Sequence, residues 1–230
     1  QASTVSDYAV KTAKKANIAV CADSSSQSSL SFKKEFISAL FASGGRVTPT
    51  NCDFAATNFS ASAIVSQAVS DRAEGILLLP SVDGIGRAIE VAQANQKPLS
   101  LFGSSTLYTF QTLQQGRSAV NGMVLTVPWN PGAIPSNSFP QTARTLWGGA
   151  VNWRTATAYD ATQVAIAGLK QNQTREGLQQ ALSSPGFSVN GATGSIQFSQ
   201  LGDRNGGVIL VKVQPGSTSN TGFDFVPLKP

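Results

Sequence analysis

Between residues 8 and 127, short apolar runs alternate with amphipathic helical stripes, and this restricts the chain to a mostly parallel sheet covered on both faces. The expected strands are 17–22, 46–50, 75–79, 99–103 and 122–127. After Ser60, the residues Ala61, Ile64, Val65, Ala68 and Val69 fall on one helical stripe, with Ser60 placed to cap it. The segment after Ser31 repeats the pattern through Phe32, Phe36, Leu40 and Phe41, and Gly44-Gly45 ends it. A third stripe, 84–95, carries Ile85, Ala88, Ile89 and Ala92. The fold class expected is α/β, a flavodoxin-like doubly wound parallel sheet, with additional helices and a C-terminal β-hairpin.

A sheet of this kind binds ligands outside the carboxyl ends of its strands. The loops there are 22–29, 80–86 and 103–108, and all three are rich in small hydroxyl residues. They offer either a polar rim for a small polar ligand or ordinary solvated loops, and composition does not separate the two. Gly84-Ile85-Gly86 follows the third strand, lacks a third glycine and has no Lys-Ser/Thr, so it is a poor nucleotide signal. A helix N-terminus there could still hold an anion such as a carboxylate.

Cys21 and Cys52 are the only cysteines, and each falls at the carboxyl end of an expected strand. Consecutive parallel strands are usually neighbours, which would bring the two together as a disulfide. Two free buried thiols are the alternative, since spacing does not fix bond geometry.

The chain has 230 residues, 41% of them hydrophobic, enough for one large or two small domains. Only 13% are charged, a composition common in exported proteins. The net charge of +5 is dispersed, its densest group being Lys11, Lys14, Lys15, Lys33 and Lys34, and no nucleic-acid motif accompanies it. Nucleic acid is not an expected partner. No apolar run reaches the roughly 20 residues that span a bilayer, so a soluble chain is expected, its leader removed or outside this sequence.

Catalysis finds little support. Histidine is absent, which removes Ser-His and Cys-His nucleophiles and the commonest metal ligand. Glu35, Glu74, Glu90 and Glu176 lie on expected helices or near their ends, where solvation is the default. Asp160 follows Tyr159 at an expected helix start and reads as a first-turn charge, and Asp203 sits in the turn Leu201-Gly202-Asp203-Arg204. No enzyme activity, cofactor or metal is expected.

After residue 127 the periodicity changes. Pro131, Pro135 and Pro140 mark a loop, with 128–138 reading as a crossover linker, followed by helices near 139–147 and 155–170. Tyr159-Asp160-Ala161 opens a helical segment, Thr174-Arg175-Glu176-Gly177-Leu178 opens another, and Gly191 to Phe198, Gly202-Asp203-Arg204 and Val211-Lys212-Val213 follow. This order of elements resembles the C-terminal portion of type I solute-binding proteins, the receptors of branched-chain amino-acid and amide ABC uptake systems, most closely cyanobacterial members. The resemblance implies three parts: 1–127 as a C-terminal-type ligand-binding lobe, 128–205 as a helical excursion belonging to the N-terminal-type lobe, and 206–230 as return strands. It departs from the family in having no N-terminal lobe before Tyr8. The chain is then a fragment, a paralogue reduced to one lobe, or one part of an assembly in which another chain supplies the lobe.

The same resemblance implies a ligand site. Ser28 stands where the family often has Tyr, Ser81 and Val82 in a loop that often offers an aromatic, and Ser105 where an acid often pairs with a ligand ammonium. Asp83 or Asp23 would have to replace that acid. Tyr108 and Trp129 would supply apolar walls or pack in a core or hinge. The function implied is an extracytoplasmic receptor, periplasmic or extracellular and with or without a membrane tether. It would bind an amino acid or similar small polar solute between two lobes and deliver it to an ABC permease. A ligand-independent sensor or interaction module derived from a truncated receptor is the other reading.

Overall fold

Five of the six residues of β1 (Asn17–Ala22) and all five of β3 (Gly75–Leu79) are buried, which only a sheet covered on both faces allows. The computed structural model describes residues 1–96, 99–133 and 138–228. Strand β1 lies between β2 (Arg46–Val47) and β3, parallel to both, and β4 (Ser100–Gly103) and β5 (Val124–Val127) extend the parallel ladder. An antiparallel hairpin of β8 (Ile209–Pro215) and β9 (Phe223–Pro227) completes the order β2-β1-β3-β4-β5-β8-β9. The doubly wound α/β class and the C-terminal hairpin are both present.

Helices cover the sheet as the stripes require. On one face α1 (Ala2–Asp7), continued by a π-helical turn Tyr8–Thr12, and α2 (Gln27–Ala42) bury Val5, Ala9, Phe36 and Leu40 against Ile18, Val20, Phe102 and Val124. The other face, where Ala19, Cys21, Ile76 and Leu78 are equally buried, is left to α3 (Ala61–Ser70), α4 (Ile85–Ala94) and α5 (Phe110–Gly116), which pack side by side. Ser60 caps α3 by accepting from the Ala63 amide.

Some boundaries differ from the sequence expectation. Helix α2 begins four residues before Ser31, because Ser26 accepts the Ser29 amide and caps it. Phe41, expected on its inward stripe, is 58% exposed. Strand β2 stops at Val47 instead of Thr50, since Pro49 has no amide to donate. The chain still runs on beside β1: Phe54 donates to the Ala22 carbonyl at 2.9 Å, and Cys52 bonds to Cys21 with Cα atoms 4.7 Å apart. Glu74 is no solvated helix-end charge either. Its Oε2 accepts the amides of Ala16 and Asn17, each at 2.9 Å, and so anchors the start of β1.

By contact the chain forms two units, Gln1–Val127 with Leu210–Pro230, and Pro128–Ile209. The second contains α6 (Phe139–Trp147), α7 (Trp153–Gln171), α8 (Arg175–Ser183) and an antiparallel pair, β6 (Val189–Gly191) and β7 (Gly194–Ile196). Thr174 caps α8 through the Gly177 amide, as its sequence suggests. Pro140, expected in a loop, lies in the first turn of α6, where a missing amide does no harm. Part of the expected linker, 134–137 with Pro135, lies outside the described residues.

Two outcomes follow for stability. The hydrogen bonds from Asn17 and Ala16 hold the Glu74 carboxyl below its ordinary 4.5. A depressed carboxyl stabilises the fold above its unfolded pKa and loses that contribution as pH falls through the folded value. Glu74→Gln should therefore cost about 1 to 2 kcal/mol in urea unfolding at pH 7, with the gap to wild type closing below about pH 4. Replacing Cys21 and Cys52 together by Ser opens a loop with a sequence separation of 31. By chain-entropy arithmetic this should remove roughly 3 to 4 kcal/mol, read as an equal drop for wild type unfolded under reducing conditions.

Candidate functional site

The carboxyl end of β1 runs directly into Asp23, a buried carboxylate, and its hydrogen bonds organise two of the three strand-end loops. Its Oδ1 accepts from the Ser25 amide at 3.0 Å and the Ser25 hydroxyl at 2.5 Å, while Oδ2 accepts the Ser81 amide at 3.3 Å. The loop after β1 is thereby tied to the loop after β3. Ser29 completes the joint: its hydroxyl accepts from the Asp23 amide and donates to the Leu79 carbonyl. Gly84 lets α4 begin against this carboxylate, since a Cβ there would lie 3.4 Å from Asp23 Oδ2 and 3.3 Å from Pro80 Cβ. Burial alone would raise the Asp23 carboxyl, but the hydrogen bonds from Ser25 and Ser81 prevail and hold it below its ordinary 3.8.

The remaining expected residues have different fates. Ser28, in the first turn of α2, is exposed and shares a hydroxyl contact of 3.0 Å with Ser26. Ser81 is half-buried and its hydroxyl accepts the Gly84 amide at 3.2 Å. Val82 is 71% exposed, and Asp83 beside it is exposed as well. Ser105 is half-buried in the short turn after β4. Tyr108 stacks on Phe225 of β9, with ring centroids 4.2 Å apart. Asp23, Ser25 and Ser81 thus form one hydrogen-bonded group, and Ser105 and Tyr108 follow β4, the neighbour of β3 in the sheet. Trp129 lies in the buried core of the second unit with Ala156 and Ala192.

A fourth segment, 51–59, escaped the sequence reading. The Cys21–Cys52 bond holds it at the end of β1, and Asp53 Oδ1 accepts the amides of Ser24 at 3.0 Å and Ala55 at 2.8 Å. Burial and the charge of Asp23 push the Asp53 carboxyl up, yet the bonds from Ser24 and Ala55 keep it below 3.8. Arg87 of α4 fastens the same segment, donating to the carbonyls of Phe54 at 2.6 Å and Ala56 at 2.9 Å under the ring of Phe59. The strand-end position of Cys52 was the available signal for this segment. Nothing local marked Arg87.

In the second unit Asp160 departs from expectation: it is no first-turn charge but lies in the middle of α7, 2% exposed. Its carboxylate accepts from the Ala192 and Thr193 amides and the Thr193 hydroxyl, and pairs with Arg204 at 3.1 Å. Every one of these partners binds the β6–β7 turn and the Arg204 loop to the helix, so the group is structural. Among the described residues no set of three or more His, Cys, Asp or Glu is grouped to hold a metal.

Residues 1–218 match the model of the periplasmic binding protein family. Among solved structures, the leucine-binding protein LivK of Thermotoga maritima superposes with a TM-score of 0.83 at 20% identity, over 100% of this chain and 65% of that one. A putative branched-chain amino acid ABC transporter protein of Rhodospirillum rubrum gives 0.78 at 21% identity, over 99% and 64%. An R. palustris solute-binding protein in complex with benzoate gives 0.80 at 16% identity, over 100% and 64%. The chain therefore spans about 65% of the length of such relatives, and at these identities the likeness carries the fold. No curated protein matches in sequence.

Two substitutions separate the buried Asp23 group from the exposed Ser28 hydroxyl. Asp23→Ala should destabilise the protein by about 2 to 3 kcal/mol, because it leaves the amides of Ser25 and Ser81 without their acceptor. Ser28→Ala should change unfolding free energy by less than about 0.5 kcal/mol. Equal effects in urea titration would mean that Asp23 does not organise the loops.

Proposed function

The chain belongs to the periplasmic binding protein family, and we propose that it serves as the solute-binding receptor of an ABC uptake system, working outside the cytoplasm and passing its solute to a permease. The unit Gln1–Val127 with Leu210–Pro230 is, in this reading, the C-terminal-type ligand-binding lobe. Residues 128–205 are an excursion belonging to the other lobe, and the chain from 206 onward is the return. The observation that carries the proposal is the family match over residues 1–218 together with hydroxyl-rich loops at the strand ends, where the doubly wound fold places ligands. Among the described residues no helix is long and apolar enough to cross a membrane.

The wall these loops offer a solute consists of Ser28, Ser81, Val82, Asp83, Ser105 and Tyr108. Asp23 contributes by holding the wall in place, since both of its oxygens already accept hydrogen bonds. An ammonium-bearing solute would find Asp83 as the remaining carboxylate of the set. Similar proteins were solved with leucine and with benzoate, so the solute class we propose is a small polar molecule, amino acid or aromatic acid.

A second reading rests on the second unit, where Leu146, Trp147, Tyr159, Ile166 and Leu169 of α6 and α7 are exposed. Apolar exposure on this scale marks a surface that another element covers. We propose the sheet of a further lobe as that element, in keeping with a chain spanning about 65% of its relatives. An interaction module would use the same surface for another chain.

Titration of the protein from its full reading frame with leucine, benzoate and a panel of amino and aromatic acids separates these readings. A receptor should gain about 5 to 10 °C in Tm at a ligand concentration 100-fold above Kd. Val82→Glu should abolish that gain without altering unfolding in the absence of ligand. A dimer on size exclusion that responds to no member of the panel would sink the receptor and favour the interaction module.

A further inference from the structure

A cavity of about 530 Å³ opens at the amino ends of β4 and β5, at the opposite end of these strands from the hydroxyl-rich loops. Its floor is apolar: Phe102 and Val124, partners across β4 and β5 and both buried, line it. Its lining also carries polar groups, Ser118, Asn121 and Lys212 of β8 among them. Val211 and Val213 are fully buried, and strand alternation turns Lys212, between them, to the other face.

Two details suggest that Lys212 is placed and not merely present. Gly122 has φ +85°, a conformation that favours glycine, and a Cβ built on it would lie 4.0 Å from Lys212 Cε, so the lysine stem runs alongside this glycine. The ion pairs among the described residues are Lys11–Asp7 and Arg204–Asp160, which leaves Lys212, a half-buried residue, with no carboxylate partner among them. A lysine ammonium at the edge of an apolar floor donates charge-assisted hydrogen bonds to an anionic group set against it. The volume lies within the roughly 300 to 1,000 Å³ of small-molecule sites.

We propose that this cavity is a second binding site, taking a small organic carboxylate with a short apolar tail. The carboxylate meets Lys212 and the Asn121 amide, and the tail lies on Phe102 and Val124. The site is independent of whatever solute the strand-end loops bind.

Hexanoate and hexylamine carry tails of the same length under opposite charges, which makes them a matched pair of probes. With the full chain, hexanoate should shift the amide resonances of Leu101, Phe102, Gly122 to Val124 and Lys212 in a saturable way, and hexylamine should not. Lys212→Met keeps the stem and removes the charge, and should weaken hexanoate at least tenfold. If that variant fails to fold, Asn121→Asp sets a carboxylate in the lining with Lys212 intact and should abolish the same shifts. Equal response to both probes, shifts confined to residues 23–29, 80–86 and 103–108, undiminished binding by the variants, or no response to hexanoate would each overturn the proposal.

Discussion

The carboxylate of Asp23 is the interaction on which the hydroxyl-rich end of the sheet depends. An ionised group buried at the end of a central strand is costly unless its oxygens are occupied. Here they are, by donors from its own loop and from the loop after β3. The cost of burial becomes a constraint on geometry: to keep Asp23 satisfied, Ser25 and Ser81 must both present their amides to it. Two loops that solvent would otherwise leave mobile acquire a fixed relation. Disulfide, Asp53 and Arg87 then fix the segment 51–59 to the same strand end, so its backbone is tied down at several points.

The second unit uses the same device. Asp160 is buried in α7 and is satisfied by amides more than thirty residues further along the chain, with Arg204 closing the group. Gly191 is needed there, because a Cβ at that position would collide with Asp160. Each unit thus spends a buried aspartate on organising a turn, and neither aspartate is left free to act on a solute.

This explains which parts of the molecule were legible in the sequence. Periodicity depends on local burial, so β1, β3, α3 and α4 could be read almost residue by residue. Caps are local too, and Ser60 and Thr174 declared themselves. Asp160 did not, because an aspartate after Tyr159 looks the same whether its partners are water or the turn at Ala192; only the fold decides. Glu74 failed for the same reason, its partners Ala16 and Asn17 lying almost sixty residues away. At the strand ends the sequence identified the loops correctly as hydroxyl-rich. It gave no means of telling Asp23, whose oxygens are consumed, from Asp83, whose carboxylate faces solvent.

That distinction bears on how charge could be recognised at the strand ends. Asp83 is exposed, and in high dielectric a carboxylate–ammonium contact contributes about 0 to 1 kcal/mol. The same contact strengthens severalfold once water is excluded from it. Asp83 can therefore discriminate a charged solute only to the extent that the bound state covers it, whereas Val82, 71% exposed on the same turn, gains from any apolar contact in proportion to the area removed from water. In the proposed receptor, affinity at this face would then come first from apolar contact around Val82 and Tyr108 and from the hydroxyls. Charge selectivity would follow from how completely the face is closed over.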